Sequence, residues 1–369
     1  MESQKVYDRL LLAIVFIFVI IGIVMVYSSS SISAADKCGT DTYYLKKQIA
    51  FAVLGFLMLF LARCIRYQLL KKCVYLILVV SVVSLILVLV PGLGKTIGGA
   101  TRWLRVGPVS FQPSEFAKLG LVIFLAYSLS RKEDRMQSFS VGFLPHLLIT
   151  LIMFGLVLKQ PDFGTAMLML MLFCLLVFAG GGRLKHLASF FALAAAGGYL
   201  LIIATKYRME RLTAFYDPWK DASDTGFQII QSFIALGSGG LWGTGLGNGR
   251  QKLFYLPEPH TDFIFSILGE ELGFFGACFI ILLFGLLIYC GIKICLKAPD
   301  LFGTYLALGI TAFIGLHAAI NLGVVMGLLP TKGSTLPFIS YGGTSLVINL
   351  TSMGILLNIG SQPSMKTKL

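Results

Sequence analysis

Charge is scarce in this chain. Asp, Glu, Lys and Arg make up 13% of its 369 residues, while 57% are hydrophobic. With a mean hydropathy of +0.85, a soluble globular domain is excluded and a polytopic membrane protein remains. Acid is scarcer still, with 17 Asp and Glu against 30 Lys and Arg. Of seven cysteines, at 38, 64, 73, 174, 278, 290 and 295, only Cys38 falls in an outer segment, which excludes an exposed disulfide framework. The four histidines (146, 186, 260 and 317) are scattered, with no metal-ligand spacing. The glycine-rich stretch from Gly237 to Gly247 follows no strand and lacks a Gly-Lys-Ser/Thr ending, which excludes a nucleotide phosphate loop. It reads as a hinge or a close-packed turn.

What the chain has instead is ten apolar runs long enough to span a bilayer. They fall at about 10–30, 46–62, 73–91, 113–130, 141–158, 162–180, 187–205, 263–293, 301–329 and 341–360. The expectation is one all-α membrane domain over 1–369, with a long extracytoplasmic loop, about 206–262, between the seventh and eighth spans. The first run is long and lacks a small-residue cleavage site, so it reads as a retained span. Short outer loops would hold only Lys37, Lys46, Lys47, Lys95, Arg102, Arg105, Lys159 and Lys332, against about twice as many basic residues inside. Both termini are therefore expected in the cytoplasm. The net charge of +13 then reflects topology, not a nucleic-acid surface.

Every unusual polar segment falls on the outer side. The loop at 91–112 brings Lys95, Arg102, Trp103 and Arg105, and the two arginines together could hold a phosphate bidentately. Headgroup contact with an interfacial Trp103 is the plainer alternative. Pro113 suits a first helical turn, and Glu115 and Lys118, three apart, share one helix face at the membrane's outer edge. Ionisable groups at that depth are functional candidates with each other as partners, though a purely structural pair is the alternative. The stretch from Lys159 to Thr165 holds Gln160 and Asp162, and Asp162 could simply cap the sixth span. Within the long loop, Gln228, Gln231 and Ser232 group against apolar residues, as in a short interfacial or re-entrant helix.

The stretch from Tyr255 to Ser266 weighs most. Two prolines, Pro257 and Pro259, keep it extended up to Asp262, where an apolar run begins. A carboxylate partly withdrawn from water there suits a general base; an ordinary helix cap is the alternative. Ser266, Gly269 and Gly273 follow Asp262 along nearly one helical face, a stripe suited to close helix packing or to a lipid tail. Glu270 and Glu271 lie off that face and are not first choices for chemistry. The last outer loop, 330–343, adds Lys332. Carboxylates (Glu115, Asp262, Glu258) and cations (Arg102, Arg105, Lys118, Lys332) on one side suit either transfer from a lipid-linked phosphosugar or transport of an anionic lipid.

Several stretches resemble the SEDS family of bacterial cell-envelope proteins. They are Arg102-Trp103, Gln112-Pro113-Ser114-Glu115 with Lys118, Gln160 to Thr165, Asp217-Pro218-Trp219 and Gly237 to Gly240. Leu256 to Phe263, including Glu258 and His260, and Leu336 to Gly343, including Ser340 and Tyr341, complete the series. Pro330 to Gly333 and His260-Thr261 are similar to the division (FtsW) branch more than to the elongation (RodA) branch. The resemblance implies a ten-span glycosyltransferase that polymerises lipid II on the outer face of the inner membrane at the septum. It implies catalysis by Asp262, Glu115 and Lys118. Substrate binding falls on Arg102, Trp103, Arg105, Gln160, Asp162, Glu258, His260, Lys332, Ser340 and Tyr341. It also implies a divalent cation, Mg or Mn, at the pyrophosphate near Asp262, and no organic cofactor. The implied partners are a class B penicillin-binding transpeptidase and other divisome proteins, with no nucleic acid. A lipid II flippase and an elongation-type polymerase are the competing readings.

Overall fold

A computed structural model describes residues 2–97, 100–107, 109–203, 209–210, 213, 215–222, 226–253, 256–257, 259–331 and 333–362. Ten long helices stand where the ten apolar runs fall. They are α1 (Glu2–Cys38), α2 (Tyr43–Cys64), α3 (Leu69–Leu89), α4 (Pro113–Arg131), α5 (Leu144–Lys159), α6 (Phe163–Ala179) and α7 (Leu184–Ile203). After a shorter α8 (Phe227–Ser238) come α9 (Ile264–Leu296), α10 (Leu301–Val325) and α11 (Gly343–Ser361). Seven of the ten are long and apolar enough on their own to cross a bilayer. The exceptions are α4, which carries Glu115, Lys118 and Arg131, the 17-residue α6, and α7.

Helix directions follow from cross-helix contacts. Tyr7 meets Tyr289, Phe18 meets Phe284 and Ser28 meets Glu271, so α1 and α9 run antiparallel. Gly309 faces Val122 while Lys118 lies over the Phe313 ring, so α4 and α10 are antiparallel too. A Cβ at Gly354 would sit 2.3 Å from the Leu59 carbonyl oxygen, so glycine lets α11 lie directly on the α2 backbone. Most of α4, α10 and α11 is buried, while Val53, Leu57, Tyr75, Leu76, Leu193 and Leu200 on α2, α3 and α7 are exposed. An apolar belt of that kind is what faces lipid.

The two ends of the bundle are built differently. At the end carrying the α2–α3 and α9–α10 turns, Lys71 and Tyr67 both donate to Asp300, and Asn358 joins Tyr67 to Arg63. Burial alone would raise the Asp300 carboxyl, but the Lys71 ammonium, the Tyr67 hydroxyl and the Gly303 N–H outweigh it and hold it below its usual range. The opposite end carries the remaining polar segments.

One element there departs from the all-α expectation. Residues of the 91–112 loop form an antiparallel meander, β1 (Gly94–Ile97), β2 (Ala100–Val106) and β3 (Val109–Phe111), with a register irregularity between Lys95 and Thr96. Backbone groups at a bilayer edge need partners, and the meander supplies them internally.

Candidate functional site at one end of the bundle

Arg102 is the extra residue where β2 bulges against β1, between Thr101 (opposite Thr96) and Trp103 (opposite Lys95), and it and Arg105 bond different carbonyls and form no two-arginine phosphate fork. Arg102 donates to the carbonyls of Gln160 (3.2 Å) and Pro161, tying the sheet to the α5–α6 turn. Arg105 is exposed and bonded only locally, to the Gly107 carbonyl, and Trp103 pairs with Lys95 across the sheet. Gln160 is fully buried and donates to the Leu85 carbonyl. Asp162 caps α6 by accepting from the Thr165 N–H at 3.1 Å, the plainer of its two expected roles.

Asp262 stands one residue before the N-cap of the helix it precedes. The N-cap position falls on Phe263, which offers no side-chain cap. The Asp262 backbone carbonyl accepts from Asn321 of α10 at 2.9 Å, and the same amide donates to the Ser334 carbonyl. Asn321 thereby pins the Asp262 segment to the α10–α11 loop. That loop reaches the carboxylate through bare backbone, since a Cβ on Gly333 would stand 2.9 Å from Asp262 Oδ2. Ser340 donates to the Thr261 carbonyl, and the Tyr341 N–H to the His260 carbonyl. His260 is buried between the rings of Tyr44 (4.5 Å) and Tyr341 (5.6 Å). Burial pushes the Tyr341 hydroxyl up to about 12, so it stays neutral and able to donate. Glu258 and Lys332 lie outside the described residues.

Glu115 and Lys118 form a buried ion pair at 2.7 Å. Glu115 Oε2 has no hydrogen-bond partner among the described residues, and neither has Asn321 Oδ1. Lys118 also stands 5.1 Å from the centre of the Phe313 ring. Phe313, His317 and Asn321 follow at four-residue steps along α10, so the ion pair lies about 12 Å below Asp262 along that helix. It does not touch the carboxylate. A single column links the two sites: Asp262, then Asn321 and His317, then Phe313 and Lys118. Asn321 goes unremarked in the sequence, and His317 is noted there only as one of four scattered histidines, although polar residues inside an apolar run are functional candidates.

No three His, Cys, Asp or Glu side chains gather into a metal site among the described residues. Among the described residues, Asp262 offers one carboxylate here. A magnesium-type ion fits that donor set only where substrate phosphate oxygens complete its shell.

The fold and this end define a multi-pass helical membrane protein with an acid-bearing polar site at the mouth of its bundle. The family profile described as "Cell cycle protein" for FtsW, RodA and SpoVE matches residues 8–365. The chain belongs to this FtsW/RodA/SpoVE family. It is 46% identical to the probable peptidoglycan glycosyltransferase FtsW of Geobacter sp. (strain M18) over 98% of this chain and 99% of that one. It is 44% identical to stage V sporulation protein E of Bacillus subtilis (strain 168), covering 97% of this chain and 98% of that one. Among solved structures, a chain of a peptidoglycan synthase complex superposes with TM-score 0.78 at 31% identity, covering 95% of this chain and 96% of that one. Thermus thermophilus RodA gives 0.70 at 32% identity, with 95% of each chain covered.

Proposed function

We propose that this protein is a peptidoglycan glycosyltransferase that polymerises lipid II at the outer face of the cytoplasmic membrane during cell division. The observation that carries this is Asp262: an acid at the outer head of α9, one residue before its N-cap, with its backbone held by Asn321 and a bare glycine beside its carboxylate. Asp262 takes the proton of the acceptor sugar's 4-hydroxyl while that oxygen bonds to the donor's anomeric carbon. The carbon–oxygen bond to the polyprenyl pyrophosphate breaks in the same displacement, and its electron pair leaves with the pyrophosphate. An α-linked donor thus yields a β-1,4 linkage by inversion. One carboxylate suffices, unlike the acid–base pair of inverting hydrolases, because pyrophosphate leaves without a proton.

The chain's cations meet the developing charge. Arg102, fixed by two carbonyls, presents its guanidinium at the rim, and the Glu115–Lys118 pair lies below with the lysine paired. Asp262 is the residue that would hold a divalent cation, which would supply charge neutralisation to the leaving group. The working assembly includes a class B penicillin-binding transpeptidase and other divisome proteins at the septum. Support for such a partner comes from the fit to a chain of a peptidoglycan synthase complex.

The test is Asp262→Asn in the purified, reconstituted protein supplied with fluorescent lipid II and moenomycin. Polymer is expected to disappear while thermal unfolding stays unchanged. Polymer at the wild-type rate would end the mechanism.

A further inference from the structure

The eighth span is continuous in sequence but broken in space. Gly273 adopts φ 70°, ψ −169°, which separates an outer half-helix, Ile264–Leu272, from the rest of α9. The glycine-rich loop fills the break. Phe274 and Phe275 donate to the Gly240 and Leu241 carbonyls at 2.9 and 3.3 Å. Thr244 and Gly245 donate to the Glu270 and Glu271 carbonyls at 2.9 and 3.1 Å. Any Cβ at Gly243 would lie 2.2 Å from the Glu271 carbonyl oxygen, so the loop is seated in the helix and not merely laid on it.

Two acidic side chains then fasten the rest of the loop. Glu270 accepts from the Arg250 N–H at 2.6 Å and the Gln251 N–H at 3.3 Å. The Glu271 carboxylate, with no side-chain exposure, meets Lys252 Nζ at 2.7 Å. The Ser28 hydroxyl of α1 donates to that carboxylate, its oxygen 2.6 and 2.7 Å from the two Oε atoms. Lys252 also donates to Ser28 Oγ (3.1 Å) and to the Gly247 carbonyl (2.7 Å).

We infer that Lys252 and Glu271 are positioning residues for Asp262, setting the orientation of the outer half-helix through a buried three-part clasp with Ser28. Asp262 stands at the head of that half-helix. Its direction is not set by helix continuity, because the break removes it. A charged clasp is a poor means of gaining stability in such a place, since apolar side chains of similar volume commonly serve as well or better. What it adds is direction: hydrogen bonds from α1, the loop and the half-helix that are satisfied together in only one arrangement.

The inference rests on Asp262 being the base, and the experiment separates the two. The full chain is reconstituted in bilayers with fluorescent lipid II, and kcat, KM and the unfolding midpoint are measured for each variant. The double substitution Lys252→Met with Glu271→Leu is expected to unfold like wild type, keep KM within about twofold, and lose at least tenfold in kcat. Ser28→Ala, which keeps both charges and removes one anchor, is expected to lose several-fold in kcat without a change in unfolding. Either variant folding normally with wild-type kcat, beside an inactive Asp262→Asn, overturns the inference and leaves the proposed mechanism standing. An active Asp262→Asn removes the mechanism and the inference with it. If the double substitution does not fold, Ser28→Ala decides alone.

Discussion

Gly333 is the most direct probe of the catalytic geometry, because a single methyl can displace the Asp262 carboxylate without touching the fold. An alanine Cβ there would lie 2.9 Å from Asp262 Oδ2, whereas ordinary contact begins at 3.4 Å. The carboxylate must therefore retreat by about 0.5 Å, which it can do by rotating its own side chain. Misplacing a catalytic group by about 1 Å can cost roughly a hundredfold, so half of that predicts about a tenfold loss of kcat. That corresponds to about 1.4 kcal/mol in the barrier. Stability should move the other way. Gly333 is not in the left-handed region, so alanine fits its backbone and restricts the unfolded chain, worth about 0.4–1 kcal/mol. Gly342→Ala in the same loop serves as the control, since its Cβ would meet only ordinary contacts at 3.5 and 3.6 Å. Polymerisation of fluorescent lipid II and thermal unfolding are measured side by side. Wild-type turnover in Gly333→Ala, or a loss matched by Gly342→Ala, would refute the placement of Asp262 as the base.

The Glu115–Lys118 pair separates packing from chemistry. Lys118→Met strands a buried carboxylate and should destabilise by about 3–5 kcal/mol, whereas Glu115→Gln with Lys118→Met should regain most of that in thermal unfolding. The double variant is expected to fold and yet make little polymer; full polymer yield would reduce the pair to a structural one. At the opposite end, Asp300 has its folded-state pKa depressed below 3.8. Its stabilising effect is therefore fully present above that value and is lost as pH falls through the lower folded pKa. The unfolding midpoints of wild type and Asp300→Asn should differ near neutrality and converge in strong acid, and a gap that persists there would contradict the clasp with Lys71 and Tyr67.

The ten spans were legible because an apolar run of bilayer length has no other stable home. The Glu115–Lys118 contact was legible too, since a three-residue spacing on a helix fixes one face. What escaped was set by elements the pattern did not reveal. Reading 91–112 as a loop leaves Arg102 and Arg105 free to converge, whereas in the folded sheet Arg102 is bonded to the α5–α6 turn and Arg105 to the Gly107 carbonyl. Ser232 was grouped with Gln228 and Gln231 as a polar face. In α8 it is instead fully buried, bonded to Ser266 and the Val325 carbonyl. The stripe of Ser266, Gly269 and Gly273 was drawn on an unbroken helix. Its first two members do pack against α8, where a Cβ at Gly269 would meet Leu236, but Gly273 is the break itself. Glu271 lies off that stripe on an unbroken helix, and the side it occupies is where Ser28 and Lys252 arrive.

The packing beneath the site also bears on transport as an alternative. A flippase must carry a pyrophosphate and sugars past the middle of the bundle, where a charged group costs about 2.5–3.5 kcal/mol even by the mildest scales. Below Lys118, α4 runs through Leu121, Val122, Leu125 and Ala126, all fully buried, and meets Leu306, Ala307 and Ile310 of α10, equally buried. The Thr311 and Ser352 hydroxyls at this level are turned back onto their own helices, to the Ala307 and Ile348 carbonyls. No charged residue occurs on α4 between Lys118 and Arg131, or anywhere on α10 or α11. The polar column from Asp262 through Asn321 and His317 therefore ends at the Glu115–Lys118 pair, above an apolar layer. A site closed from below in this way suits chemistry on a headgroup already at the outer surface, with the polyprenyl tail left in the bilayer.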